Sequence, residues 1–93
     1  MNYTVEKFSK ELVIVNELGL HARAAAMIAK AAGNAKSKLW IIKNKEEVDA
    51  SSILDMLSLE CSKGTKITLK VNDKADIEIF NNIASLIENG FGE

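Results

Sequence analysis

The residue most able to do chemistry is His21, the only histidine of the chain, set in Gly19-Leu20-His21-Ala22-Arg23-Ala24-Ala25. An unprotonated imidazole nitrogen is a nucleophile. The arginine two positions later offers a planar fork of donors matched to phosphate oxygens. The alanine-rich run that follows predicts a helix starting at or just after His21. A helix start presents unpaired N–H groups and a partial positive charge, which suits an anionic group held reversibly on the ring. Histidine is a poor N-cap beside Ser, Thr, Asp or Asn, so helix stability does not account for its presence. No acid or second histidine stands nearby in sequence, so a hydrolytic triad has no support. One histidine and one cysteine, Cys61, do not make a zinc site, and neither a metal nor another cofactor is expected. On these residues alone, an idle histidine and a phosphoryl acceptor both remain open.

Positioning that ring falls to one small domain, since 93 residues hold one hydrophobic core and not two. The apolar share of 47% and charged share of 27% are those of a globular protein. A net charge of −1 argues against a general binder of nucleic acid or anionic membrane, which needs a basic surplus. Cys61, standing alone, forms no intrachain disulfide and fits a reducing compartment. Residues 1–10 alternate charged and apolar types and lack the basic stretch and apolar core of a signal peptide. No run approaches the ~20 apolar residues of a membrane span. A cytoplasmic, monomeric protein is expected.

The pattern along the chain supplies the elements. Leu12-Val13-Ile14-Val15 reads as a strand, ended by Asn16-Glu17-Leu18-Gly19. Seven alanines with Met27 and Ile28 over residues 22–32 make a strong helix, and Ala25, Ile28, Ala29 and Ala32 share its packing face. Gly33-Asn34 supplies its stop. Leu39-Trp40-Ile41-Ile42 predicts a strand, with Asn44-Lys45 turning into a second around Glu47-Val48-Asp49. Ser51-Ser52 then precedes a short amphipathic helix marked by Ile53, Leu54, Met56 and Leu57. Residues 65–71 alternate with Ile67, Leu69 and Val71 on one face, as a strand half in water does. Asp73 is placed to cap a last helix with an apolar stripe at Ile79, Ile83, Leu86 and Ile87, Phe80 beside it and Gly90 as stop. Trp40 is expected to serve packing, and Cys61 to be a buried small residue. The order is βαββαβα, an α+β open-faced β-sandwich with helices on one side of an antiparallel sheet.

Two blocks in register give the pattern a family. Gly19-Leu20-His21-Ala22-Arg23-Ala24-Ala25 closely resembles the active-site motif of HPr, the histidine phosphocarrier of the bacterial sugar phosphotransferase system. Ser51-Ser52-Ile53-Leu54-Asp55-Met56-Leu57-Ser58-Leu59, followed by Lys63-Gly64-Thr65-Lys66-Ile67-Thr68, resembles that family's regulatory-serine helix and next strand. Gly90-Phe91-Gly92-Glu93 resembles family tails. The resemblance spans residues 11–93 as a single domain and leaves residues 1–10 as an extension. It implies a four-stranded sheet in order 1-4-2-3 with three helices on one face. It further implies phosphorylation of His21 by Enzyme I, with Arg23 holding the phosphoryl oxygens, and onward transfer to a IIA protein.

The same resemblance makes Ser52 the counterpart of a serine phosphorylated in some bacteria by HPr kinase/phosphorylase. A regulatory module controlled at Ser52, with little histidine transfer, is the alternative reading. It also places Ile53 and Leu54 at the partner surface, with Met27 and Lys30 on the adjoining helix. For Met27, Ile53, Leu54 and Leu57 helical periodicity by itself favours core, so core and partner patch both stand. The chain departs from the family pattern at Ala24, where proline is usual, at Leu18, where Asn or Ser is usual, and at Asp55, where Gly or Lys is frequent. Alanine keeps a backbone N–H that proline lacks but gives up the ring's fixed φ.

Overall fold

A computed structural model describes residues 8–93. In chain order the elements are β1 (Phe8–Val13), α1 (Ala22–Ala32), β2 (Leu39–Lys43), β3 (Glu46–Asp49), α2 (Ile53–Ser58), β4 (Lys66–Val71) and α3 (Ile77–Glu88), with short 3-10 turns at Lys74–Asp76 and Gly90–Gly92. The sheet runs β1-β4-β2-β3 and every pairing is antiparallel. Alternation along each strand sends Leu12, Ile41, Val48, Ile67, Leu69 and Val71 inward, where the three helices cover them. Ala24 and Ala25 are fully buried and, having almost no side chain, let α1 lie close against its neighbours; Ile28 beside them is equally buried. Truncating Ile28 to alanine would cost about 2–5 kcal/mol by leaving a cavity there.

The helices and strands fall where residue patterning placed them, with physical corrections at the edges. β1 begins at Phe8 rather than Leu12 and has ended before Val15, which is 45% exposed. Its first half, Phe8 to Lys10, is held by the ladder to β4 through Phe8↔Val71, Ser9↔Lys70 and Lys10↔Leu69, so no apolar alternation advertises it. Of the expected extension, residues 1–7 lie outside the described residues, while 8–10 are strand. The stripe of α3 is rotated from the expected one: Phe80, Ile83, Ala84 and Ile87 are buried, whereas Ile79 and Leu86 are half-buried. Trp40 packs on the open face of the sheet, half-buried, with Lys38 Nζ 5.6 Å from its ring centroid.

Asp73 caps the Lys74–Asp76 turn by accepting from Ala75 N, and α3 itself starts one turn later. Asp76, though at the head of α3, sends its carboxylate across to the α1–β2 loop. It accepts from Lys36 N and Ser37 N at 2.8 Å each and from Ser37 Oγ at 2.6 Å. The Ser37 hydroxyl and then the Lys36 N–H hold this buried carboxyl below its ordinary 3.8, against the opposing pull of burial. The bond set ties the exit of α1 to the entry of α3.

Candidate functional site

The site begins with a backbone turn that few residues tolerate. Gly19 has φ +66, and a Cβ there would stand 2.4 Å from the Cys61 carbonyl oxygen. The contact is close because Leu20 N donates to that same oxygen at 2.8 Å, bolting the β1–α1 loop to the segment before β4. Leu20 is buried beneath it. His21 follows with extended backbone, φ −84 and ψ 179, and is the N-cap of α1. Its carbonyl accepts from Ala25 N, the first bond of the helix. Its ring Nδ1 accepts from Arg23 N at 3.2 Å, doing the work normally given to a serine oxygen.

That bond and a second one at Nε2 together select the tautomer of the ring. A backbone N–H can only donate, so Nδ1 carries a lone pair and the proton sits on Nε2. Nε2 in turn meets the carboxylate of Glu93, 72 positions away in sequence, in a short contact with Oε2. Arg23 Nη1 also donates to Oε2, at 3.3 Å, and Asn16 Nδ2 donates to Oε1 at 3.2 Å. The His21 bond leads the effects that hold the Glu93 carboxyl below its ordinary 4.5; the Asn16 bond and the positive charge of Arg23 act the same way, and burial opposes them. The Glu93 carboxylate thus lies among donors that suit a phosphoryl group.

Glu93 arrives there through a sharp local turn. Gly90, Phe91 and Gly92 all have positive φ, at 62, 59 and 76. For Phe91 this conformation costs about 1–2 kcal/mol, offset by a side chain only 1% exposed in the core. Asn16 is 5% exposed and gives its other N–H to Gly19 O at 2.8 Å, so the same amide shapes the loop and touches Glu93. Its Oδ1 is buried and, among the described residues, has no partner. An unpaired buried acceptor costs about 1–3 kcal/mol. Neither Glu93 nor Asn16 was marked for the site by local spacing. An asparagine three residues before a glycine turn is the signal that residue types alone could have offered for Asn16.

The other expected site residues fall in three places. Arg23, Met27 and Lys30 follow one another along α1, as a spacing of four and three residues dictates. The Arg23 side chain is 60% exposed, Lys30 is exposed, and Met27 lines a groove of about 490 Å³ with Leu86, Asn89 and Gly92. Ile53 and Leu54 open α2 at 38% and 79% exposure, whereas Met56 is its buried residue and Leu57 is half-buried. The apolar pattern of α2 is therefore split between core and surface. Ser52 is the N-cap of α2, and its Oγ accepts from Asp55 N at 3.3 Å. Leu18 stands 70% exposed on the loop before His21. Among the described residues no group of three or more His, Cys, Asp or Glu side chains is placed to hold a metal, and no helix is long and apolar enough to cross a membrane.

Known proteins share both the sequence and this architecture. Residues 8–89 match the family profile described as PTS HPr component phosphorylation site. The phosphocarrier protein HPr of Cupriavidus necator is 37% identical over 84 residues, which is 90% of this chain and 94% of that protein. The crystal structure of HPr-C-His from Thermoanaerobacter tengcongensis superposes with a TM-score of 0.83 at 35% identity, covering 92% of this chain and 97% of that one. An HPr dimer from the same organism matches at a TM-score of 0.69 and 35% identity, covering 100% of this chain and 99% of that one.

Proposed function

Because the chain belongs to the HPr phosphocarrier family of the phosphotransferase system, we propose that His21 accepts a phosphoryl group on Nδ1 from phosphorylated Enzyme I and passes it to a IIA protein. The observation that carries this reading is the bond from Arg23 N to Nδ1, which leaves that nitrogen unprotonated at the positive end of α1. In the transfer, the N–P bond of the donor breaks as the Nδ1–P bond forms. The donor imidazole leaves with its electron pair, and the proton on His21 Nε2 stays in place. The Arg23 N–H that capped the lone pair then faces a phosphoryl oxygen. The Arg23 guanidinium, mostly exposed, can leave Glu93 Oε2 and turn toward the same group.

Ile53 and Leu54, apolar and exposed on α2, supply contact area for the two partners, with Met27 and Lys30 on α1 and Leu57 behind them. The reading places the protein in the cytoplasm as a monomer that meets each partner in turn. Ser52 is engaged as a helix cap, which accounts for a serine at that position without regulation. Incubation with Enzyme I and phosphoenolpyruvate, followed by intact mass, tests the proposal. The expected result is an acid-labile adduct that is missing in His21→Ala; no adduct on the unaltered protein with Enzyme I of the same organism would overturn it.

A further inference from the structure

Glu93 and Asn16 are joined to His21 by a continuous set of bonds. Asn16 Nδ2 reaches Glu93 Oε1, and Glu93 Oε2 reaches His21 Nε2. The loop needs only one N–H of this amide, the one given to the Gly19 carbonyl. Asn16 is buried with its oxygen unpaired, and both of its N–H groups are committed, one to the Gly19 carbonyl and one to Glu93. A residue kept in that condition is kept for what its nitrogen does.

We propose that Asn16 and Glu93 are positioning residues for phosphoryl transfer. Asn16 holds the Glu93 carboxylate, and that carboxylate locks the His21 ring in the tautomer protonated on Nε2. The phosphoryl group is thereby directed to Nδ1. No proton moves in the step. Phosphorylation at Nδ1 with Nε2 still protonated makes the ring cationic, and the carboxylate already facing Nε2 balances it. Arg23 exchanges Glu93 Oε2 for phosphoryl oxygens while His21 keeps its bond to the same carboxylate.

The inference rests on the carrier reading, and its test separates the two. Ring nitrogen-15 shifts of the unphosphorylated protein need no transfer to occur. They are expected to report the Nε2-protonated tautomer in the unaltered protein and a mixture in Glu93→Ala. Glu93→Gln, whose amide oxygen still accepts from Nε2–H, is expected to restore the single tautomer. In transfer from Enzyme I, Glu93→Ala is expected to lower kcat about tenfold with KM changed less than twofold, as loss of one charge-assisted hydrogen bond does. Asn16→Ala is expected to lower kcat about threefold, and the double variant to lose no more than Glu93→Ala alone, because Asn16 acts through Glu93. An unchanged tautomer in Glu93→Ala, a kcat within twofold of the unaltered protein, or additive losses in the double variant would each overturn the relay. Failure of the unaltered protein to accept phosphate would instead overturn the carrier reading.

Discussion

Two helices of this protein start in the same way and for opposite reasons. His21 before α1 and Ser52 before α2 both have extended backbone, and both side chains accept an N–H from the first turn of their helix. At α2 every partner is local: Ser52 accepts from Asp55 three residues on, and nothing further is asked of the hydroxyl. At α1 the ring uses one nitrogen locally and turns the other to Glu93 across the sequence. The helices explain the contrast. With only six residues, α2 is far too short to hold by intrinsic preference and depends on a good cap and on buried Met56. With eleven residues, seven of them alanine, and with Ala24, Ala25, Ile28 and Ala32 buried, α1 depends less on its cap. Where propensity and packing hold the helix, its cap position is freer to carry chemistry.

Substitutions at the two caps should therefore trade consequences. The largest effect is expected from His21→Ala, which removes phosphoryl acceptance altogether, read by intact mass, while thermal unfolding shows a loss below about 0.5 kcal/mol, the low end for a helix cap. Next is Gly19→Ala. It forces an unfavourable φ and drives a Cβ into the Cys61 carbonyl, so it is expected to cost at least about 2 kcal/mol in denaturant titration and to slow transfer by moving the loop. Ser52→Ala should do the reverse of His21→Ala: about 1 kcal/mol of stability lost by the same titration, with phosphoryl acceptance at His21 unchanged. Equal stability costs at the two caps would break the comparison.

The smallest effect is expected from pH. Glu93 and Asp76 have folded carboxyl pKa values held below their ordinary 4.5 and 3.8. Below those ordinary values the unfolded chain binds more protons than the folded one, so stability decreases as pH falls. Each contribution is complete above the ordinary value and is lost as pH drops through the folded one. Thermal melts from pH 6 to about pH 3 should show this decline. Glu93→Gln should remove the part that begins near 4.5 and leave the part belonging to Asp76.

The contrast between the caps also marks what was legible in the residues. Local signals carried far: the alanine run gave α1 its limits at 22 and 32, Ser52 announced α2, and alternation from Ile67 to Val71 showed which face of β4 is inside. His21 and Arg23 were visible because their chemistry is concentrated within three residues. What escaped was held by distant partners. The first half of β1 is an edge with one apolar side chain, Phe8, before Ser9 and Lys10, and its ladder to β4 makes it a strand. The split of α2 into exposed Ile53 and Leu54 and buried Met56 depends on which side α1 covers. Asn16 and Glu93 become site residues only when a loop and a turn from opposite ends of the fold close on each other.

The pairing of β1 with β4, and of His21 with a residue 72 positions away, sets the order in which a chain becomes competent. Contacts within the β2–β3 hairpin close small loops and form early, whereas bringing the first strand and Glu93 home closes the longest loops and comes late. Assembly of the anion site is then among the final folding events. A chain whose β1 has not docked has not yet brought Asn16 and Glu93 together beside the histidine. Folding itself serves as the quality check on who may carry the phosphoryl group.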